Sequence, residues 1–246
     1  MAIGNRLPQT QQMQKKQEQS TTYEANGLQV TLSASTVKNY LVSGNKDRVT
    51  NQEVAMFINL CKFSGLNPWL KEAYCIKYGD EPATMVVGKD AFQKRAENHP
   101  AFAGFEAGIM VEIPNGEIAY RTGCFHLPEE NIIGGWAEVW RKDRTHSTRI
   151  EIPFYEYAGR KKDGSLNGQW SKRPGTMIRK VALVQALREA FPNSFGGMYS
   201  AEEQGAIEPE ITVVPDVIDQ PTVEDAPKGE VINESGFAQA ALFGDE

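Results

Sequence analysis

The spacing of apolar residues along the chain predicts several helices. Apolar residues within positions 54–61 recur at the interval of one helical face, and residues 50–53 (TNQE) match a capping box. This pattern predicts a helix that begins near residue 51 and ends at Gly65. Shorter helices are predicted over residues 35–42 and 89–98.

Strands are predicted where apolar and polar residues alternate with a period of two. Asn115 and Gly116, between two alternating runs, give a strong hairpin signal. The predicted strands cover residues 72–78, 83–87, 105–113, 118–125, 132–141 and 148–152. A basic loop over residues 159–169 follows. A last helix then begins at Pro174, a residue favoured at the first helical position. A meander followed by a helix predicts an α+β fold with additional N-terminal helices.

Basic charge is concentrated in residues 139–180, which hold 11 Lys and Arg against 4 acids, a net of +7. Five aromatic residues are interleaved with this charge: Trp140, Phe154, Tyr155, Tyr157 and Trp170. Cations neutralise phosphates and flat rings accept unpaired bases, so the segment has the chemistry of a single-strand nucleic-acid surface. A solvated basic face with ordinary core aromatics would give the same pattern.

The remaining charge is divided unevenly along the chain. Residues 201–246 hold 12 acids and one Lys, whereas the first 200 residues hold 25 basic and 20 acidic residues. This asymmetry predicts a polyanion partner for the body of the protein. Composition further predicts a flexible N-terminal arm over residues 1–26, a core over 27–200 and an acidic disordered tail over 201–246. The apolar tip of that tail predicts either a partner-binding motif or a frayed terminus.

The predicted last helix carries two cations among apolar residues. Lys180, Val184 and Arg188 form a stripe at i, i+4 and i+8, within the arc that should face the core. A charge in such a position must be paired, because an unpaired buried charge costs several kcal/mol. A nucleic-acid phosphate is one candidate partner, and a carboxylate of the same protein is the other.

The sequence motifs of several enzyme classes and metal sites are absent from the chain. The one Gly-Lys dipeptide, Gly88 and Lys89, has Ala83 where a Walker A motif requires Gly. The acid-x-Lys triplet common in metal nucleases does not occur, nor does G-x-S-x-G. Three isolated His and three widely spaced Cys argue against a zinc site and for a reducing cytoplasm. No secretory signal and no membrane-length apolar run is found. These absences favour a binding protein over an enzyme.

Five segments together carry a family resemblance: 65–74 (GLNPWLKEAY), 86–92 (VVGKDAF), 140–144 (WRKDR), 168–180 (GQWSKRPGTMIRK) and 186–191 (ALREAF). In this order and spacing they resemble the RecT and lambda beta family of phage single-strand annealing proteins, above all RecT proteins of prophages in Gram-positive hosts. The resemblance implies an ATP-independent recombinase that coats single-stranded DNA and anneals it to its complement. It also implies a curved antiparallel sheet with a β-β-β-α core, backed by a long helix, with a DNA groove along the inner face.

The resemblance also implies which residues contact DNA. Trp170 of segment 168–180 and the basic residues that follow it are expected to line the groove: Lys172, Arg173, Arg179, Lys180 and Arg188. Five further basic residues complete the candidate set: Lys89, Arg141, Lys142, Arg144 and Arg149. Rows of cations hold phosphates without sequence preference and leave the Watson–Crick edges exposed. Base pairing supplies about 1.4 kcal/mol per stacked step, so no cofactor is expected, and magnesium only as a counter-ion.

The expected partners are single-stranded DNA, the annealed duplex intermediate and further copies of the chain in a ring or helical filament. The acidic tail is expected to contact a RecE-type 5′–3′ exonuclease or a host single-strand-binding protein. The expected location is the cytoplasm of a bacterial host, with no membrane. Two alternatives stay open: a non-annealing RNA-binding or architectural protein, and a nuclease with a degenerate metal site.

Overall fold

The computed structural model describes residues 19–206. The strands of this segment are β1 (Ser20–Ala25), β2 (Leu28–Ser33), β3 (Val42–Gly44), β4 (Ala73–Lys77), β5 (Thr84–Val87), β6 (Phe102–Glu112), β7 (Ile118–Thr122), β8 (Asn131–Arg141) and β9 (Thr148–Pro153). Its helices are α1 (Ala34–Thr36), α2 (Asn51–Phe63), α3 (Lys89–Glu97), α4 (Phe154–Tyr157), α5 (Gly168–Lys172) and α6 (Pro174–Ala190). A π-helical turn over Val37–Leu41 follows α1, and 3-10 turns occupy Lys46–Arg48 and Pro68–Leu70.

The largest sheet has four antiparallel strands in the order β7-β6-β8-β9. Two smaller sheets lie earlier in the chain: the antiparallel hairpin β1-β2, and β3-β4-β5, in which β3 runs parallel to β4. This arrangement confirms an α+β fold with antiparallel sheets. The predicted curvature of the sheet stays a prediction.

Helix α6 packs across β8, β9 and β6 and is buried on nearly all of its sides. Ile109, Gly135 and Ile152 lie opposite one another in register on the sheet face that meets this helix. A Cβ added to Gly135 would lie 2.7 Å from the carbonyl oxygen of Ile178 on α6. The helix therefore approaches β8 more closely than any residue with a side chain would allow.

The side of α6 away from the sheet is covered by α3 and by the segment that follows α6. Phe195 of this segment packs against Phe92 of α3, with ring centroids 5.5 Å apart. The backbone N–H of Val87 on β5 donates to the carbonyl of Tyr199 at 2.8 Å, and Ala201 packs against the same sheet. Residues 191–206 thus tie the last helix to the N-terminal part of the fold.

Two predicted boundaries are corrected by these contacts. The predicted flexible arm ended at residue 26, but Ser20–Ala25 pairs with β2, because Asn26 and Gly27 adopt the positive φ values of a tight hairpin turn. The predicted disordered tail began at residue 201, but Ala201 is buried. The rest of the predicted arm, residues 1–18, and of the predicted tail, residues 207–246, lie outside the described residues. Among residues 19–206, no helix is both long and apolar enough to cross a membrane.

The capping box predicted for α2 is present, with Thr50 and Glu53 bonding each other's backbone N–H groups. The predicted helices at 35–42 and 89–98 are confirmed, the first as α1 and the π-helical turn. The strand predicted over 118–125 ends at Thr122, because Gly123 turns the chain with φ +80°.

Candidate nucleic-acid interface

Two exposed cations lie at the N-terminal end of α6. The side chain of Asn167 caps α5 by accepting from the backbone N–H groups of Gln169 and Trp170, both at 3.1 Å. Lys172 then ends α5, and Arg173 lies between α5 and Pro174. Both side chains are exposed, and neither forms an ion pair with an acid of segment 19–206. The positive end of the α6 dipole adds to their field, so this corner is suited to bind phosphate.

Trp170 lies in the core, although the sequence predicted it in the DNA interface. Its indole packs edge-on against Phe154, with centroids 5.4 Å apart, and lies over Gly159. Its contacts therefore hold α5 against the body, which fixes the position of Lys172 and Arg173.

A small basic hairpin lies beside this corner and was left out of the predicted site. Arg160 and Leu166 form a bridge, and the N–H of Lys161 donates to the carbonyl of Ser165 at 2.8 Å. Lys161 and Lys162 are exposed near its tip. The signal was readable in the sequence, since the run RKKDG places three cations before a glycine turn. We refer to residues 160–166 as the basic hairpin.

Arg179, predicted to contact DNA, spans the interior between α6 and the sheet. Its Nε donates to the carbonyl of Ala107 on β6 at 3.0 Å, and the side chain is only partly exposed. This bond ties α6 to a strand, and only the far side of the guanidinium is left for another partner.

Lys180 and Arg188 are paired with carboxylates of the chain itself. The Nζ of Lys180 lies 3.0 Å from Glu202 Oε1, with side-chain exposures of 11% and 3%. Arg188 pairs with Glu203 and stacks over the ring of Tyr199 at 4.2 Å. The sequence left the partner open between a phosphate and a carboxylate. In the structure both partners are carboxylates, supplied by the segment that covers this side of α6.

Arg141, at the C-terminal end of α6, also bonds with groups of the chain itself. It forms a two-pronged pair with Asp143, donates to the carbonyl of Ala190 and lies over the ring of Phe191 at 4.6 Å. The hydrogen bond from Arg141 lowers the pKa of Asp143 to about 2. Arg141 therefore caps the last turn of α6, where a cation complements the helix dipole.

Lys142 and Arg144 differ from Arg141, since both are exposed on the turn between β8 and β9. Neither forms an ion pair with an acid in the part of the chain that the structure describes. At 1.5 Å per residue, the 17 residues of α6 separate this turn from Lys172 and Arg173 by about 25 Å. The exposed cations thus form two groups, one at each end of the helix.

Arg149 and Lys89 both lie next to acids of the chain. Arg149 projects from the sheet face opposite α6, where it pairs with Glu138 and Glu151 and lies over Trp136 at 4.8 Å. Lys89 begins α3, with its Nζ 3.4 Å from the adjacent Asp90. The predicted site residues therefore do not converge on one surface.

Metal-binding residues do not cluster in the described segment: among residues 19–206, no group of three or more His, Cys, Asp or Glu could hold a metal ion. The exposed cations of this segment are suited to bind an anionic ligand.

Comparisons with known proteins place this geometry in a family. The model of the RecT family matches residues 29–215, which include both exposed cation groups and the basic hairpin. Over 147 residues the chain is 26% identical to "Recombination protein bet" of Escherichia phage lambda. That match covers 56% of this chain and 46% of the lambda protein. Because the family model spans well over half of its length, the chain belongs to the RecT family.

Proposed function

We propose that this protein is an ATP-independent phage recombinase that binds single-stranded DNA as an oligomer and anneals complementary strands. The observation that carries the proposal is the RecT family match over residues 29–215, within which the exposed cations lie. The lambda relative, named a recombination protein, supports the same reading.

The physical basis is the separation of phosphate binding from base pairing. Cations that hold phosphates leave the Watson–Crick edges free, so a bound strand can still pair with its complement. Pairing yields about 1.4 kcal/mol per stacked step, which drives annealing without ATP or hydrolytic chemistry. One subunit covers only a few nucleotides, so tight binding requires several copies along the strand, in a ring or helical filament.

We assign the first DNA contacts to the exposed cations at the two ends of α6. Lys172 and Arg173 provide one group, and Lys142 and Arg144 provide the other. Lys180 and Arg188 can join only if their carboxylate partners are displaced, and Arg179 only through the side of its guanidinium that does not meet Ala107. The interface is therefore smaller than the candidate set derived from the sequence.

The same proposal covers the surroundings of the protein. Residues 27–200, together with β1 and the segment up to residue 206 that packs against the fold, would form the annealing core. The acidic tail would contact a RecE-type exonuclease or a host single-strand-binding protein. Magnesium would act only as a counter-ion to DNA. The place of action would be the cytoplasm of the bacterial host.

The test mixes complementary fluorescent single strands with the protein in EDTA and without ATP. We expect pairing to be accelerated, and Lys172→Ala/Arg173→Ala to lose most of the acceleration. Lys62→Ala is the matched control, because Lys62 is exposed on α2 and forms no ion pair with an acid of the described segment. Retardation of DNA without faster pairing would instead identify the architectural alternative. Strand shortening in magnesium would identify a nuclease.

A further inference from the structure

The segment 65–74 presents an exposed tryptophan that the cation groups do not explain. Trp69 is 47% exposed, and Tyr40, whose ring centroid lies 6.4 Å away at an angle of 44°, is 74% exposed. The two rings are tilted against each other, and each keeps a large part of its surface exposed. Large aromatic side chains rarely stand together on a surface without a binding partner.

Hydrogen bonds to Asn67 and to the buried Glu72 hold the backbone around Trp69 in place. The side chain of Asn67 accepts from the N–H of Trp69 at 3.1 Å, within the 3-10 turn Pro68–Leu70. The carboxylate of Glu72, only 2% exposed, accepts from the N–H of Asn67 and from Lys94, both at 2.8 Å. Lys71 completes the turn in the left-handed conformation, with φ +60°. A non-glycine residue in that conformation is strained, and the buried network holds it there.

Three lysines lie near the two rings along the chain. Lys71 follows Trp69 by two residues and is exposed, and Lys38 precedes Tyr40 by two. The Nζ of Lys46 lies 3.2 Å from the carbonyl of Asn39, the residue next to Tyr40. Within residues 19–206, no acid forms an ion pair with any of these three lysines.

We propose that Tyr40 and Trp69 form a stacking platform for the bases of a single DNA strand, with Lys46 and Lys71 contacting its phosphates. Flat rings accept every base, and neighbouring cations hold the backbone, so the platform has no sequence preference. Because the turn is held in place before binding, little freedom is lost when a base stacks on Trp69. The inference rests on the proposed function and adds a base contact to it.

Tryptophan fluorescence tests the contact directly. Trp136 and Trp170 are buried, so Trp69 should give most of the quenching when oligo(dT) is added. Trp69→Phe should remove that quenching and keep most of the affinity, since its ring still stacks. Trp140→Phe, which removes a partly exposed tryptophan, should keep the quenching.

Affinity measured by anisotropy of labelled DNA gives a second readout. Trp69→Ala and Tyr40→Ala should each weaken oligo(dT) binding by about 5- to 150-fold, the range for loss of one stacked base. Phe125→Ala, which removes an aromatic ring that is 74% exposed, should have no effect. The wild type should prefer oligo(dT) over an abasic oligomer of equal length and charge, and Trp69→Ala should lose the preference.

The outcomes separate this inference from the proposed function. If the wild type anneals DNA but binds both oligomers equally, or if Trp69→Phe keeps the quenching, the platform is refuted and the annealing function stands. If Trp69→Ala lowers the mass of the DNA-free protein in light scattering, the rings contact a second copy and the platform is likewise refuted. If the wild type binds no single-stranded DNA, both proposals fail. Should Trp69→Ala not fold, Trp69→Phe and the two-oligomer comparison on the wild type decide.

Discussion

The buried pair of Lys180 and Glu202 offers the sharpest test of how α6 is held in place. Both side chains are nearly inaccessible, and Nζ and Oε1 lie 3.0 Å apart. Removing one member leaves the other charge buried without this partner, which typically costs 3–5 kcal/mol. We therefore expect Glu202→Gln to lower the free energy of unfolding by about 3 kcal/mol, measured by urea denaturation.

The double variant Lys180→Met/Glu202→Met should recover most of that loss. Replacing a buried ion pair by apolar residues of similar volume is often neutral or stabilising. Here the second carboxylate oxygen of Glu202 is buried with no hydrogen-bond partner in the described segment, and the double variant also removes this unsatisfied group. A double-mutant cycle should give a coupling energy of roughly 3 kcal/mol.

The pair of Arg48 and Asp80 is the matched control, because its side chains are 61% and 80% exposed. Exposed pairs contribute about 0–1 kcal/mol, so the cycle Arg48→Met/Asp80→Asn should show little coupling. If the Lys180 and Glu202 cycle gives no more coupling than this control, the account of α6 is wrong. If the stable double variant also loses single-stranded DNA affinity, Lys180 contacts phosphate as the sequence predicted.

Three further predictions concern the interface, the acid limit of stability and the packing of α6. Lys172→Ala/Arg173→Ala should flatten the slope of log affinity for single-stranded DNA against log salt by about 1.4, at about 0.7 per phosphate contact, and an unchanged slope would exclude both residues. The hydrogen bond from Lys77 lowers the pKa of Glu53 from 4.5 to about 2, aided by two backbone N–H groups. The resulting stability is present above pH 4.5 and lost as pH falls towards 2, so acid titration of Glu53→Gln should show a shallower loss than the wild type. Gly135→Ala should cost about 1–3 kcal/mol in urea denaturation, because its Cβ would meet an α6 carbonyl; equal stability would contradict that close approach.

Local patterns predicted most of the elements, since helix and strand periodicity is written in short stretches. The elements that were missed are the short strand β3, the short helices α4 and α5, and the hairpin β1-β2. The signal of the hairpin was present in Asn26 and Gly27 between alternating residues. The polar, glutamine-rich start of the chain concealed it, and the predicted arm ended at the turn itself. The sequence also indicates the sheet face on which Arg149 lies. Ile150 and Ile152 point towards α6, and side chains alternate along a strand, so Arg149 must point to the opposite face.

The partners of the buried cations could not be read in the same way. Glu202 and Glu203 belong to a stretch whose composition is that of a disordered tail, and nothing local marks them as buried. Pairing across 15 to 22 residues is decided by how residues 191–206 fold back over α6. The positions of Lys180 and Arg188 among apolar residues predict an anionic partner for each, and only the fold supplies the identity of that partner.

The difference between exposed cations and cations bonded within the chain changes the expected salt dependence of DNA binding. Residues 139–180 hold 11 basic residues. If all of them contacted phosphates, log affinity for single strands plotted against log salt would have a slope of about −8 per subunit. Five of these are bonded within the chain: Arg141, Arg149, Arg160, Arg179 and Lys180. The other six are exposed and form neither an ion pair nor a side-chain hydrogen bond inside the described segment: Lys142, Arg144, Lys161, Lys162, Lys172 and Arg173. If only these contact phosphates, the slope contributed by this region is limited to about −4 per subunit. A measured slope much steeper than this would require either the lysines around Tyr40 and Trp69 or the release of the buried cations from their carboxylates. The Lys180 double variant and the Trp69 variants distinguish these two sources.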